Sequence, residues 1–224
     1  MIADEGTEAR LELDGMELQA TVDGVEEWLF KTNAGSIPVR FHHATEGNAA
    51  ILWVGGAGGG LDGPAGGMYP RIAGQLVNQG IASMRLHYRQ PGNLPECVMD
   101  TLLGLEYLAS RERGRVILVG HSFGGAVVIS AGAVSDRVVA VVAMSSQTYG
   151  TSLVSRLSPK PILLMHGTED QILPDSCSRE LYRRARLPKD ILLYQGCRHG
   201  LDECRDEVDR DLVHWIIQTL RGLS

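Results

Sequence analysis

Three side chains in this sequence have the types needed for nucleophilic catalysis. Ser122 lies in "RVILVGHSFGGAVVIS", between two apolar runs, with Gly120 and Gly124 two residues away on either side. A serine hydroxyl is a weak nucleophile at neutral pH. It needs a base to take its proton and a carboxylate to orient that base. His199, in "CRHG", lies directly after the last apolar run, "DILLYQG". The apolar run before that, "PILLMHG", leads into Thr168, Glu169 and Asp170, and so offers two carboxylates. The chain order is therefore serine, carboxylate, histidine, one of the known orders for such a triad.

These groups meet only if the elements carrying them end at one edge. The lead-in over residues 1–25 has no firm periodicity and is expected to be weakly ordered. Residues 26–224 are expected to form a single domain. "EEWLFKT" and "IPVRFHH" alternate apolar and polar residues around Asn33-Ala34-Gly35, a hairpin signal. "AAILWVGG" is a continuous apolar run ending in glycine, as expected of a strand buried on both faces. From there strand-like and helix-like segments alternate to the end of the chain. Helices are expected at about 69–78, 94–111, 123–133, 175–186 and 202–220. This pattern predicts an α/β fold, doubly wound, with a mostly parallel eight-stranded sheet and an antiparallel N-terminal edge. Ser122 then falls on a sharp strand-to-helix turn, and the carboxylate and His199 fall on later loops at the same edge.

With those segments placed, the chain resembles the α/β-hydrolases. "GHSFGG" is similar to their nucleophile elbow, "HGTEDQILP" to their H-G-x-x-D-x-x-V-P acid loop, and "CRHG" to their late histidine loop. The resemblance runs from about Trp28 to Leu220. The short form is similar to the dienelactone-hydrolase-like branch, with serine where dienelactone hydrolases have cysteine. The resemblance implies a serine hydrolase that cleaves an ester or thioester through an acyl-enzyme on Ser122. His199 would be the base, and Asp170 rather than Glu169 would orient it. An oxyanion hole is implied at the amide of Phe123 and in the loop Gly55-Gly56-Ala57-Gly58-Gly59-Gly60, which resembles the H-G-G-G type with Gly55 where histidine is common. The second amide is assigned to Ala57, with Gly56 next. About fifteen residues separate "VVAVVAM" from "KPILLM", too few for a helical cap, so an open site is expected. Met68, Tyr88, Arg89 and Tyr149 are the candidate substrate-binding residues.

Other classes are weaker. Gly58, Gly60 and Gly63 satisfy G-x-G-x-x-G after a strand, but the next strand ends in His87 and Tyr88 instead of an acidic residue, and Pro64 interrupts the helix start. Arg85 and Arg89 would have to hold a 2′-phosphate for that reading. No Gly-Lys-Ser/Thr follows, which excludes a P-loop. A zinc site from Cys197, His199 and Cys204 has no common ligand spacing. No metal and no cofactor is implied, and the partner is expected to be a small-molecule acyl substrate.

The 224 residues carry a net charge of −6 and no basic stripe, which argues against nucleic-acid binding. No apolar run is long enough to span a membrane. The acidic start lacks a signal-peptide layout. The four cysteines lack CxxC spacing and are expected to be free, which fits a soluble, cytoplasmic protein. Two alternatives use the same residues differently: an acyltransferase on the same triad, and a non-catalytic binding protein with this fold. The sequence leaves the oligomeric state open.

Overall fold

The continuous apolar runs become the buried centre of a sheet. The structure, a computed structural model, describes residues 11–222. Its strands are β1 (Leu13–Val22), β2 (Val25–Thr32), β3 (Gly35–His42), β4 (Ala49–Val54), β5 (Ile81–Leu86), β6 (Arg115–His121), β7 (Val138–Met144), β8 (Ile162–Gly167) and β9 (Lys189–Tyr194). The helices are α1 (Pro64–Val77), α2 (Leu94–Ser110), α3 (Phe123–Val134), α4 (Ser176–Arg184) and α5 (Arg205–Gly222). Spatial order is β1-β2-β3-β5-β4-β6-β7-β8-β9. The first strands pair antiparallel through β3–β5, and β5 to β9 run parallel.

The strand period of two sorts side chains into two cores. From β4, Ala50, Leu52 and Val54 join the core under α2, α3 and α4, whereas Ile51 and Trp53 join the core under α1 and α5. β6 repeats this with Val116 and Leu118 on one side and Ile117 and Val119 on the other. Fully burying such a side chain is worth about 1.5–3 kcal/mol. Burial on both faces therefore makes β4 and β6 the anchors of the sheet. They are neighbours, with Val54 opposite Gly120. The loops leaving their ends must therefore meet, and both candidate oxyanion segments lie on those loops.

The sheet has nine strands where periodicity counted eight. The added strand is β1, so the expectation of a weakly ordered lead-in through residue 25 does not hold from Leu13 onward. Residues 1–10 of that lead-in lie outside the described residues. β1 is mostly exposed, with Met16, Leu18 and Val22 all at the surface, so no buried run marks it. What creates it is the hairpin turn Asp23-Gly24, where φ is 50° and 77°. That dipeptide suits a two-residue turn needing two left-handed residues.

Two further differences concern the ends of elements. Pro64 opens α1, but Ala65, Gly66 and Gly67 have left-handed backbones (φ 50°, 61° and 83°), so regular helix begins at Met68. Cys197 and Cys204 form a disulfide, contrary to the expectation of free cysteines and to any zinc site built on both sulfurs. A short 3-10 turn at Asp202–Cys204 brings Cys204 back beside Cys197, with 5.9 Å between their Cα atoms, inside the usual span for a bridge. Cys97 and Cys177 are free. Residues 145–161 hold one short 3-10 turn, Val154–Arg156, and no cap. Among the described residues, no helix is long and apolar enough to cross a membrane.

Candidate active site

Ser122 occupies the turn between β6 and α3 with φ 58° and ψ −120°. A non-glycine residue rarely adopts this conformation, and such strain is tolerated only when the surroundings hold it. Here the Ser122 amide donates to the Met144 carbonyl (2.8 Å), and its carbonyl accepts from the Gly125 amide (3.0 Å). The flanking glycines are needed for space. A Cβ on Gly120 would lie 2.2 Å from the Gly124 carbonyl oxygen, and one on Gly124 would lie 2.4 Å from the Gly55 carbonyl oxygen. The serine itself stays partly exposed.

Asp170 and His199 meet at this edge. His199 Nδ1 lies 2.6 Å from Asp170 Oδ2. An ionised carboxylate only accepts, so the His199 proton sits on Nδ1 and Nε2 is left free as a base. Asp170 Oδ1 accepts from the amides of Ile172 (2.8 Å) and Leu173 (2.9 Å). Burial works to raise the Asp170 pKa. The hydrogen bonds from His199 and the two amides outweigh it and hold the carboxyl below its ordinary range. Glu169, the rival carboxylate, is exposed, and only its amide is engaged, donating to the Cys197 carbonyl.

Two further histidines complete this edge, and the sequence reading gave neither a role. His166, fully buried at the end of β8, directs Nε2 at Asp170 Oδ2 (3.1 Å) and the Leu173 carbonyl (2.9 Å). Its Nδ1 meets the Ser178 hydroxyl at 2.7 Å. Nε2 faces two acceptors, so it carries the proton and braces Asp170 from behind. It is the first residue of "HGTED", a segment singled out for its carboxylates. His121, just before Ser122, donates from Nε2 to the His199 carbonyl (2.8 Å), and the two rings lie 4.8 Å apart. That contact ties the elbow to the histidine loop. Burial pushes the His121 pKa down to about 4, against the opposing effect of its hydrogen bond to the His199 carbonyl. On the far side, the Ala65 amide donates to the Gly200 carbonyl (2.7 Å), docking the turn before α1 on the same loop. Among the described residues, Ser122 Oγ has no hydrogen-bond partner, so the structure does not close the serine-to-histidine link. Such links are often long in unliganded enzymes and shorten when substrate binds.

The oxyanion candidates lie close by. A Cβ on Gly56 would sit 3.6 Å from Ser122 Cβ. The Gly56 carbonyl accepts from the Gly59 amide (2.9 Å), closing a tight turn through Ala57. Phe123 begins α3 and is buried, so its amide is one that the helix cannot satisfy.

Three of the four expected substrate-binding residues have other work. Met68 is fully buried in the core under α1. Tyr88 is buried and donates its hydroxyl to the Gly55 carbonyl (3.0 Å). Arg89 binds Asp100 through both its backbone amide and its guanidinium, and reaches Glu96 at 2.7 Å. Asp100 is fully buried, and a buried carboxylate needs such a partner. Tyr149 remains exposed on the loop after β7. The dinucleotide reading also loses its cation: Arg85 is buried and binds His42 Nε2 (3.1 Å), the Leu61 carbonyl (3.1 Å) and Asp62. Among the described residues, no cluster of three or more His, Cys, Asp or Glu side chains could hold a metal ion.

Comparison with known proteins agrees with this architecture. The solved esterase domain from Rhodothermus marinus superposes with a TM-score of 0.70 at 20% identity, covering 85% of this chain and 97% of that one. Est1E from Butyrivibrio proteoclasticus gives 0.75 at 14% identity, covering 87% and 99%. A dienelactone hydrolase from Anabaena variabilis gives 0.75 at 15% identity, covering 87% and 98%. At those identities the likeness concerns the α/β-hydrolase fold. An Escherichia coli O157:H7 protein described as uncharacterized protein YfhR is 27% identical over 132 residues, which is 47% of this chain and 46% of that protein. The chain thus spans about half the length of that curated relative. Residues 69–212, which include the elbow, the acid loop and the histidine loop, match the Dienelactone hydrolase family, and the chain belongs to that family.

Proposed function

We propose that this chain is a serine hydrolase that cleaves an ester or thioester of a small-molecule acyl substrate. The observation that carries the reading is the 2.6 Å contact from His199 Nδ1 to Asp170 Oδ2, on loops joined by His121 to the strained turn bearing Ser122. Family membership and the solved esterases of the same fold support hydrolysis of esters. In this mechanism His199 Nε2 removes the proton from Ser122 Oγ as the oxygen attacks the substrate carbonyl carbon. Asp170 keeps the imidazole in the required tautomer and stabilises the imidazolium that forms. The amides of Phe123 and Ala57, with Gly56 as neighbour, receive the negative charge on the carbonyl oxygen. The imidazolium gives its proton to the leaving alcohol or thiol. A water activated by the same histidine then releases the acyl group as an acid.

Labelling with a fluorophosphonate tests this reading. The parent protein should label, and Ser122→Ala should not. An unlabelled parent, or equal labelling of the variant, would overturn the assignment. Turnover of a p-nitrophenyl ester by the parent, lost in Ser122→Ala, would establish the reaction.

A further inference from the structure

The segment Gly55–Gly60 has one side chain beyond hydrogen, the methyl of Ala57, so little side-chain packing of its own fixes its shape. Glycine-rich backbone is the most costly kind to order. Yet an oxyanion hole works only if its amides are aimed before the charge develops. The structure shows what fixes this loop. Tyr88 Oη donates to the Gly55 carbonyl (3.0 Å), and the Gly60 amide donates to His87 Nδ1 (2.8 Å). The His87 ring lies close against the turn: a Cβ on Gly59 would meet its Cε1 at 2.4 Å.

Peptide planarity converts these contacts into direction. In a trans peptide the carbonyl oxygen and the following N–H point to opposite sides. Once Tyr88 holds the Gly55 carbonyl, the Gly56 N–H must point away from it. Once Gly59 holds the Gly56 carbonyl, the Ala57 N–H is set in the same way. The backbone so oriented includes Gly56, where an added Cβ would lie 3.6 Å from Ser122 Cβ. The Tyr88 ring also packs edge-on against Phe123, with centroids 6.3 Å apart. One side chain thus touches both segments that carry the proposed oxyanion donors.

We propose that His87 and Tyr88, consecutive residues after β5, are the positioning residues of the oxyanion hole, an inference that rests on the serine-hydrolase reading. Neither touches reacting atoms. Tyr88 aims the amide at 56 and seats Phe123, while His87 anchors the far end of the turn whose Gly59 amide sets the amide at 57. Their loss should therefore weaken binding of the oxyanion more than binding of the ground-state ester.

The test compares Tyr88→Phe, His87→Leu and His87→Asn with the parent. Asn can place an amide oxygen where His87 Nδ1 accepts. The readouts are kcat and KM on a p-nitrophenyl ester, inhibition by a trifluoromethyl ketone whose serine adduct carries an oxyanion, and thermal midpoint. Tyr88→Phe and His87→Leu should each lower kcat about tenfold with KM within about twofold, and weaken the ketone by the same factor. His87→Asn should recover most of the loss. Wild-type kcat in both Tyr88→Phe and His87→Leu would overturn the proposal. So would a loss confined to KM, or a fall in kcat with unchanged ketone affinity. A parent that neither labels nor turns over would overturn the hydrolase reading and this inference with it. An active, labelled parent with unaffected variants would overturn this inference alone. If Tyr88→Phe does not fold, the pair of His87 variants decides the outcome.

Discussion

The elbow at Ser122 and the loop at Gly55–Gly60 are both glycine-rich, and both present amides beside the same serine. They are built in opposite ways. The elbow is held by its own backbone: Gly120 packs on Gly124, Gly124 packs on Gly55, and Ser122 is bonded at both its amide and its carbonyl. The glycine loop is held by side chains from outside, namely Tyr88, His87 and, through the Leu61 carbonyl, Arg85. Tyr69 adds a hydroxyl bond to the Val54 carbonyl at the root of the loop (2.9 Å). A turn made by close backbone approach tolerates no added atom. A turn held mainly by outside side chains should tolerate a methyl where its backbone faces open space, as at Gly58, and fail when its holders change.

The largest expected effect is at the elbow. In Gly124→Ala the new Cβ would meet the Gly55 oxygen at 2.4 Å and the Val54 oxygen at 3.0 Å, both backbone atoms of a buried strand end that cannot swing aside. Stability should fall by roughly 3 kcal/mol, the upper end of ordinary overpacking. The shift would also displace Ser122 and the loop together, so kcat/KM should fall at least about a hundredfold. Urea denaturation and ester kinetics measure the two. A variant of normal stability and activity would show that the elbow is looser than its contacts indicate.

This contrast also explains what the sequence made legible. The elbow announces itself locally, because glycine at both flanks and apolar runs on either side are consequences of its own packing. Asp170 and His199 were placed by the strands that precede them, since β8 and β9 are marked by periodicity and their loops must open at one edge. The holders of the glycine loop were not legible in that way. Tyr88 was expected to face substrate, and His87 was noted only as a departure from the dinucleotide pattern. Their work depends on β5 lying beside β4, a pairing no local window contains. The pairing of Arg89 is hidden for the same reason, because its partner Asp100 arrives only when α2 packs back. β1 stayed hidden because Met16, Leu18 and Val22 face solvent, although Asp23-Gly24 carried a turn signal.

A smaller effect, graded with pH, separates the two regions again. Each rests on a histidine that the fold keeps neutral, buried at His42 and half-buried at His121. His121 bonds the elbow to the His199 loop, and His42 accepts from Arg85, which holds the glycine loop at Leu61. Burial pushes both pKa values down to about 4, with Arg85 adding to the effect at His42. An unfolded histidine takes a proton near its ordinary value of about 6.5. Between those values the unfolded chain binds protons that the folded one refuses, so stability falls as pH drops from about 6.5 to about 4. Below that window these two groups add no further loss. Denaturation series at stepped pH should show this slope. His42→Asn and His121→Asn should each flatten part of it, and an unchanged slope in either variant would remove that histidine from the account.

The smallest expected effect is the sharpest test of how the glycine loop is held. Gly58 sits at the middle of the Gly56–Gly59 turn, its φ is outside the left-handed region, and a Cβ there would meet nothing within 4 Å. If outside side chains set the loop's shape, Gly58→Ala adds a methyl to open space and leaves the amides at 56 and 57 aimed as before. The substitution also narrows the unfolded ensemble, so stability should rise by about 0.4–1 kcal/mol, with kcat on a p-nitrophenyl ester within about twofold of the parent. If the loop instead depends on the freedom of its own glycines to adjust during catalysis, the same methyl should lower kcat while leaving the thermal midpoint unchanged or raised. That result would move the loop into the class of the elbow, where backbone conformation itself is what the glycines protect.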